Sequence, residues 1–292
     1  MNNTLKTTLF LGALTALLLA VGYVLGGQNG MLIALVLSAV MNFGSYWFSD
    51  KIILSLYRAK EIGPDDAPRL YAMVTDLAEK EGIPMPRIYM VDLPVPNAFA
   101  TGRNERHAAV AVSKSILDLL DEDELRGVLA HELSHVRNRD VLISSIAATL
   151  AGALSYIAQI AYFTGGMTGS SRNNNDRGSN AIGSLLILIL APFIATLLHL
   201  AVSRSREYLA DETGAKISQD PHALASALQK LDAYAKTHPV VASPRYEATS
   251  HLFIINPFKQ SLLLSLFSTH PSTEERVRRL EEMSLNMSRS PV

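Results

Sequence analysis

Four apolar segments constrain the fold of this chain more than any other feature of its sequence. None of them contains Lys, Arg, Asp or Glu, and they cover residues 7–26, 31–49, 141–163 and 182–203. Each approaches or exceeds the roughly 20 residues that a helix needs to cross the hydrocarbon core of a bilayer. Only 18% of the chain is charged, whereas ordinary soluble domains carry about 25%. The sequence therefore predicts a multi-pass membrane protein.

These segments also allow other interpretations. Segment 7–26 could be a cleaved signal peptide, although its apolar run is long and a second run follows directly. The pair at 141–163 and 182–203 could be a buried helical hairpin instead of two crossings. Their length and lack of charge favour two crossings. We therefore expect two N-terminal transmembrane helices within 7–49 and a membrane hairpin over 141–203 with an external loop.

The polar remainder of the chain consists of two parts, residues 50–140 and 204–292. Together they are large enough for the core of one ordinary domain. Because Lys and Arg accumulate on the cytoplasmic side of membrane segments, we expect this domain and both chain termini to face the cytoplasm. The positive charges behind this prediction are Lys51, Arg58 and Lys60 after the second segment, Arg137 and Arg139 before the third, and Arg204 and Arg206 after the fourth.

Local patterns in the polar parts predict an α+β domain that is mostly helical. A helix over about 122–138 has a capping pair at its start, Asp121 and Glu124, followed by an apolar stripe. Short runs rich in apolar and β-branched residues precede it and are bounded by Pro and Gly, so we expect a small β-sheet beside this helix. These predicted strands cover 87–91, 97–102 and 107–113.

A His-Glu-Leu-Ser-His sequence at 131–135 lies on this helix. His131 and His135 are four residues apart, share one helix face and can therefore bind one ion. Glu132 is then placed to take a proton from a water molecule beside that ion. The chain has no cysteine, so we expect a single zinc ion bound by His and carboxylate groups. The alternative is a helix with two surface histidines.

A third metal ligand is expected directly after the fourth apolar segment. Glu207 and Asp211 are four residues apart and share a helix face. Glu207 would bind the metal, while Asp211 would accept a hydrogen bond from the outer nitrogen of a ligating histidine. Two membrane crossings separate Glu207 from His131 and return the chain to the same side, so the residues can meet. The alternative is a solvated acidic face on a juxtamembrane helix.

Taken together, these motifs resemble the HtpX-type membrane-bound zinc metalloproteases, relatives of the prenyl-protein CAAX endopeptidases. The resemblance implies a zincin-like catalytic domain on the cytoplasmic side of a bacterial inner membrane, with misfolded or damaged membrane proteins as substrates. It also implies that His270 and Arg276 lie by the active site. The matching sequences are Asn97–Gly102, the 131–135 motif, Ser203–Asp211, and Thr269–Pro271 with Arg276.

Two parts of the predicted site have plainer interpretations. His270 and Arg276 could belong to an ordinary helix start, with Pro271 in its first turn and Arg276 solvated or in a salt bridge. The stretch beginning at Asn97 could be an ordinary hairpin arm instead of an edge strand that binds a substrate peptide by backbone pairing. The residues expected to bind substrate in this way are Asn97, Ala98, Phe99 and Ala100.

These observations favour a membrane-integral zinc endopeptidase for protein quality control that acts in contact with the lipid bilayer. One alternative is a membrane adaptor or chaperone with structural zinc, but a structural site has no use for the carboxylate of Glu132. Another is a protease dedicated to processing one peptide. The formal net charge of −1 gives no basic surface for nucleic acid. The sequence leaves the natural substrates and the oligomeric state open.

Overall fold

A computed structural model describes residues 3–150, 204–239, 249–255 and 271–289 of the chain. The fold is mostly helical with one small mixed sheet, as the sequence predicts. The later part of the predicted hairpin, residues 151–203, and His270 lie outside the described residues.

The helices are α1 (Asn3–Leu56), α2 (Pro68–Glu81), α3 (Lys114–Leu119), α4 (Glu122–Arg137), α5 (Asp140–Leu150), α6 (Arg204–Ser218), α7 (Pro221–Thr237) and α8 (Thr273–Arg289). The strands are β1 (Lys60–Glu61), β2 (Arg87–Val91), β3 (Ala98–Gly102) and β4 (Ala108–Ser113), and the short 3-10 helices are Glu105–His107 and Ser250–Leu252.

Helix α1 is broken in its middle, where Gly26 and Gly27 leave helical geometry. Gly27 has a φ of 58°, a conformation that glycine adopts without steric cost. The two arms of α1 then contact each other, and Asn42 Nδ2 of the second arm donates to Thr15 Oγ1 of the first at 2.9 Å. The break falls within the Gly-Gly-Gln-Asn-Gly sequence that separates the first two apolar segments.

The second arm of α1 carries a long exposed apolar surface. Within the described part of the chain, Gly26–Leu56 is the one helical stretch long and apolar enough to cross a membrane, while Leu11–Val24 is apolar but shorter. Side chains at the middle of the second arm are more than 60% exposed, which is unusual for large apolar residues in water. They include Ile33, Val36, Val40 and Phe43.

The sheet has the strand order β1-β2-β4-β3, with β2 and β4 parallel and the two outer pairs antiparallel. The three predicted strands are present, and β1 was not predicted. Both faces of β4 are buried because its side chains alternate between two apolar clusters. Val110 and Val112 face the cluster that contains α2, α4 and α7, whereas Ala109 and Ala111 face the end of α1 and Phe253. β3 is left as the edge strand on the side of α4.

Helix α4 lies at the centre of the domain and begins as predicted. Asp121 Oδ1 accepts from Glu124 N at 2.9 Å, and Glu124 Oε2 accepts from Asp121 N at 3.0 Å, which completes a capping box. The end of α4 also agrees with the predicted range of about 122–138. α4 ends at Arg137, Arg139 has a left-handed φ of 57°, and a new helix begins at Asp140.

Helix α6 crosses α4 at very close range. A Cβ atom on Gly214 of α6 would lie 2.7 Å from the backbone nitrogen of His131 and 2.9 Å from its Cα. Only glycine allows this approach, since real Cβ contacts do not reach such distances. The crossing point therefore lies at His131 itself. Glu207 and Asp211 lie about two turns and one turn earlier on α6, and their side chains reach the same region.

Candidate active site

His131, His135 and Glu207 place three donor atoms in one compact group. The Nε2 atoms of the two histidines are 3.3 Å apart, and Glu207 lies 3.5 Å from His135 Nε2 and 3.8 Å from His131 Nε2. Donor atoms at about 2.0–2.1 Å from a tetrahedral zinc ion are about 3.4 Å from one another, so these separations fit such an ion. Helix periodicity places the histidines together, and the close crossing of α6 adds the carboxylate.

The electrostatics of this group favour a bound cation. His131 and Glu207 are buried, so their polar atoms need partners inside the protein. Burial alone would lower the pKa of His135, but a hydrogen bond with Asp140 and the charges of Glu207 and Glu132 outweigh it and raise that pKa to about 9. The carboxylates thus stabilise positive charge at this position. His131, His135 and Glu207 could hold a metal ion.

Asp211 contacts the outer nitrogen of one of these histidines. Its Oδ1 lies 2.9 Å from His131 Nδ1, which is the contact expected from the sequence. Arg276 binds the same carboxylate through Nε and Nη2, at 2.8 and 2.6 Å. Burial would raise the pKa of Asp211, but the charge and hydrogen bonds of Arg276 lower it to about 2. Asp211 is therefore an ionised acceptor that orients the His131 ring.

Arg276 lies beside the three donor atoms, with Nη2 at 3.5 Å from His131 Nε2 and Nη1 at 3.8 Å from Glu207 Oε2. It is almost completely buried, and besides Asp211 its Nη1 donates to the backbone oxygen of Ile254 at 3.3 Å. It does not line the cavity beside the histidines within the described part of the chain. The ion pair with Asp211 agrees with the interpretation of Arg276 as a salt-bridged residue, and its role in catalysis stays a prediction. His270 lies outside the described residues.

The second histidine also has an outer carboxylate, which the sequence analysis missed. Asp140, the first residue of α5, lies with Oδ2 at 3.3 Å from His135 Nδ1. The guanidinium of Arg206 is 3.6 Å from the other oxygen of Asp140. Both side chains are largely buried. The break after α4 brings Asp140 beside His135. The only sign of this break in the sequence is Asn138, since asparagine is common in turns.

Glu132 lies next to the three donor atoms and is fixed by the edge strand. Its Oε2 accepts a hydrogen bond from the backbone N–H of Ala100 on β3 at 3.0 Å. Burial raises the pKa of Glu132, and the neighbouring histidines only partly offset this effect. A carboxylate with a raised pKa is better matched to proton transfer near neutral pH than an ordinary one. Glu132 can therefore serve as a general base.

A cavity of about 40 Å³ opens beside Glu132 and the side chains of His131, His135 and Glu207. This volume holds a few water molecules, so it suits an attacking water and the reacting group of a substrate. Of the four residues predicted to bind substrate, Phe99 and Ala100 line the cavity, whereas Asn97 and Ala98 are fully buried and do not. The other lining residues include Val141, Ser144, Arg206, His251, Leu252, Phe253 and Ile254.

Asn97 binds the chain itself instead of facing the cavity. Its side-chain amide donates to the backbone oxygen of Leu252 at 3.3 Å and accepts from the backbone N–H of Ile254 at 3.2 Å. His251 in the same stretch contacts the backbone oxygen of Ser144 through Nε2 at 3.0 Å. Residues 249–255 are thereby fixed as one wall of the cavity. Nothing in the sequence pattern pointed to this segment, because the contacts that fix it to the rest of the domain are long-range.

Comparisons with known proteins identify the family of this chain. The model of peptidase family M48 matches residues 64–284. The Protease HtpX homolog of Sulfurihydrogenibium sp. is 53% identical over 98% of both chains, and that of Aquifex aeolicus is 52% identical over 93% of this chain and 90% of its own. The crystal structure of S. mikatae Ste24p shares the fold with a TM-score of 0.51 and 18% identity, covering 92% of this chain and 62% of that one. The chain therefore belongs to peptidase family M48, as its motifs predicted, and is a metallopeptidase.

Proposed function

We propose that this protein is a zinc endopeptidase of the bacterial inner membrane that cleaves misfolded or damaged membrane proteins on the cytoplasmic side. One observation carries the proposal. Donor atoms of His131, His135 and Glu207 converge within 4.8 Å of one another, and Glu132 lines the same cavity. Three protein ligands with room for water are the arrangement of a catalytic zinc site, whereas a structural site closes all four positions with protein.

The residues of this chain divide the chemistry among them. When bound, a zinc ion supplies an acidified water molecule and a positive charge beside the scissile carbonyl. Glu132, fixed through Oε2, accepts a proton at its carboxylate as water attacks the carbonyl carbon. It then returns this proton to the nitrogen of the departing amine. Asp211 orients His131 throughout and stays ionised.

The edge of β3 is the proposed docking position for substrate backbone. Ala100 and Phe99 line the cavity, and β3 pairs on its other side with β4. An extended peptide that runs beside this edge passes the metal-binding group and Glu132. Backbone pairing reads no particular sequence, which suits an enzyme that acts on unfolded segments.

The proposed topology has two N-terminal crossings within 7–49 and two more within 141–203, with the domain and both termini in the cytoplasm. The meeting of Glu207 with His131 supports it, since an even number of crossings between them is required. The exposed apolar surface of α1 supports the N-terminal part. Reporter fusions between the last two crossings, in residues 164–181, should report an external position. A cytoplasmic signal there would favour a buried hairpin.

The central experiment compares the wild type with Glu132→Gln. We expect one zinc ion per chain in both proteins, and a loss of about 100- to 10,000-fold in kcat on unfolded membrane substrates in the variant. Glu122→Gln, on the exposed start of the same helix, is the matched control and should cleave normally. Zinc binding without any cleavage by the wild type would support a membrane adaptor with structural zinc instead.

A panel of substrates separates general from dedicated cleavage. Several unrelated membrane proteins, each folded and heat-denatured, are incubated with the wild type and with Glu132→Gln. Cleavage of many denatured substrates and few folded ones is expected for quality control. Cleavage of one peptide alone would identify a dedicated processing protease.

A further inference from the structure

We propose that Asp140 is a positioning residue for the metal site, which fixes the ring of His135 from its outer nitrogen while Arg206 fixes Asp140. This inference rests on the metal site proposed above, because it assigns a role relative to the bound ion. It adds two residues to that site. It also connects the site directly to both ends of the predicted membrane hairpin.

The first support is the path of the chain between His135 and Asp140. On an uninterrupted helix, residues five apart are separated by about 140° around the axis, so an aspartate there would point away from His135. The chain instead leaves the helix after Arg137 and restarts at Asp140. This places Asp140 Oδ2 at 3.3 Å from His135 Nδ1.

The second support is the backbone turn at Arg139. Its φ of 57° is left-handed, a conformation that residues with a Cβ atom rarely adopt. The Arg139 side chain is 76% exposed, and its ion pair with Glu105 is long, at 3.8 Å. These side-chain contacts do not explain the turn. Left-handed residues also follow other helix ends in this chain, at Arg58 and Gln219, so the turn is a helix ending, and here it brings Asp140 beside His135.

The third support is the correspondence between the two histidines. Each has a buried carboxylate at its Nδ1 atom, Asp211 for His131 and Asp140 for His135. Each carboxylate also has an arginine, with Arg276 at 2.6 Å from Asp211 and Arg206 at 3.6 Å from Asp140. A histidine that binds a metal through Nε2 donates its other N–H to such a carboxylate, which selects the tautomer and fixes the ring.

The position of this pair in the chain gives it a further meaning. Asp140 directly precedes the predicted membrane segment 141–163, and Arg206 follows the predicted segment 182–203 by three residues. The ion pair therefore joins the cytoplasmic ends of the hairpin at the metal site. A change in the spacing of these two ends would change the orientation of His135.

The test measures metal binding and needs no proteolysis. Full-length protein in detergent carries Glu132→Gln in every sample, and Co²⁺ is titrated into the metal-free form while its visible absorption is recorded. Asp140→Ala should weaken Co²⁺ affinity about 10- to 100-fold and change the absorption of the bound ion. Asp140→Asn, which keeps an acceptor oxygen, should lose less Co²⁺ affinity than Asp140→Ala. Asp118→Ala, an exposed aspartate on α3, should match the parent.

Thermal unfolding of the metal-free proteins distinguishes positioning from general damage. Asp140→Ala should unfold at a lower temperature than Asp118→Ala, because it removes one partner of a buried ion pair, so Co²⁺ is titrated at a temperature at which both metal-free proteins are folded. If Asp140→Ala does not fold, Asp140→Asn and Arg206→Gln decide the question, and parental affinity and absorption in both would overturn the proposal. If Asp140→Ala folds, parental Co²⁺ affinity and absorption in that variant would also overturn the proposal.

A double-mutant cycle tests the order of the two residues. Arg206→Gln should lower affinity severalfold, but it should have no further effect once Asp140→Ala is present, because Arg206 acts through Asp140. Fully additive losses would contradict that order. If His131→Ala with His135→Ala binds Co²⁺ as tightly as the parent, the metal site itself is wrong. Normal Co²⁺ binding in the Asp140 variants alone would instead overturn only the role of Asp140.

Discussion

Arg276 binds Asp211 through two nitrogens, with Nε at 2.8 Å from Oδ2 and Nη2 at 2.6 Å from Oδ1. The same carboxylate orients His131. Arg276 also lies 3.8 Å from Glu207, so it is next to the group of donor atoms, as the family resemblance implies. Its positive charge keeps the buried carboxylate of Asp211 ionised beside His131.

Replacing Arg276 should therefore destabilise the domain strongly. Arg276→Met keeps the length of the side chain but leaves Asp211 and Glu207 without the positive charge beside them. Loss of one partner from a buried ion pair costs about 3–5 kcal/mol of unfolding free energy. Urea unfolding of the metal-free protein in detergent measures this loss.

The control for this prediction lies on the same helix. Arg278 forms ion pairs with Glu275 and Glu282, but its side chain is 53% exposed. Arg278→Met should cost less than about 1 kcal/mol, because exposed pairs contribute little. Equal losses in the two variants would show that the burial of Arg276 has no special importance.

The Asp211 carboxylate should give the fold an acid-sensitive component. Its pKa is lowered to about 2 from an ordinary value of 3.8. A group with a depressed pKa stabilises the fold above its unfolded pKa, and this contribution is lost as pH falls through the folded pKa. The shift corresponds to about 2 kcal/mol. The stability difference between the wild type and Asp211→Asn should shrink by about this amount between about pH 5 and about pH 2. A constant difference would contradict the assigned shift.

The metal site could be predicted because its parts follow from local rules. The spacing of His131 and His135 places them on one face of a capped helix, and the same spacing places Glu207 with Asp211. Only the contact between α4 and α6 is non-local. We expected it because two predicted membrane crossings return the chain to the same side. The three strands beside α4 were predicted for the same reason, since apolar runs bounded by Pro and Gly are local signals.

Other parts of the site depend on tertiary contacts and could not be predicted. Asp140 reaches His135 because the chain turns at Arg139, and the predicted end of the helix near residue 138 did not indicate where the Asp140 side chain would lie. The wall formed by residues 249–255 is fixed by Asn97, which lies more than 150 residues earlier in the chain. Pattern analysis placed Asn97 on the substrate side because it recognised an edge strand but not what its side chain binds.

Asn97→Ala should destabilise the cavity wall. The change removes partners from two buried backbone groups, the oxygen of Leu252 and the N–H of Ile254, each costing about 1–3 kcal/mol. We expect lower thermal stability together with a lower kcat/KM. Asn286→Ala, on the exposed face of α8, should change neither. A raised KM with unchanged stability would instead restore the prediction that Asn97 binds substrate.

The glycine at the helix crossing gives the last prediction. A Cβ on Gly214 would lie within 3.0 Å of three backbone atoms of Ala130 and His131. Backbone cannot move aside as a flexible side chain can, so Gly214→Ala must push α6 away from α4. Overpacking of this kind costs about 1–3 kcal/mol. Because Glu207 and Asp211 are carried on α6, the same movement separates them from His131.

Metal affinity should therefore fall in Gly214→Ala by more than the loss of stability alone explains. Zinc release to a chromogenic chelator, recorded beside thermal unfolding of the metal-free protein, separates the two effects. Gly44→Ala is the matched control, since a Cβ at this helical glycine meets nothing within 4 Å. It should bind zinc normally and unfold at the same or a higher temperature, because alanine favours helix. Normal zinc affinity in Gly214→Ala would mean that the site tolerates a wider crossing, and that the contact of α6 with His131 does not set its geometry.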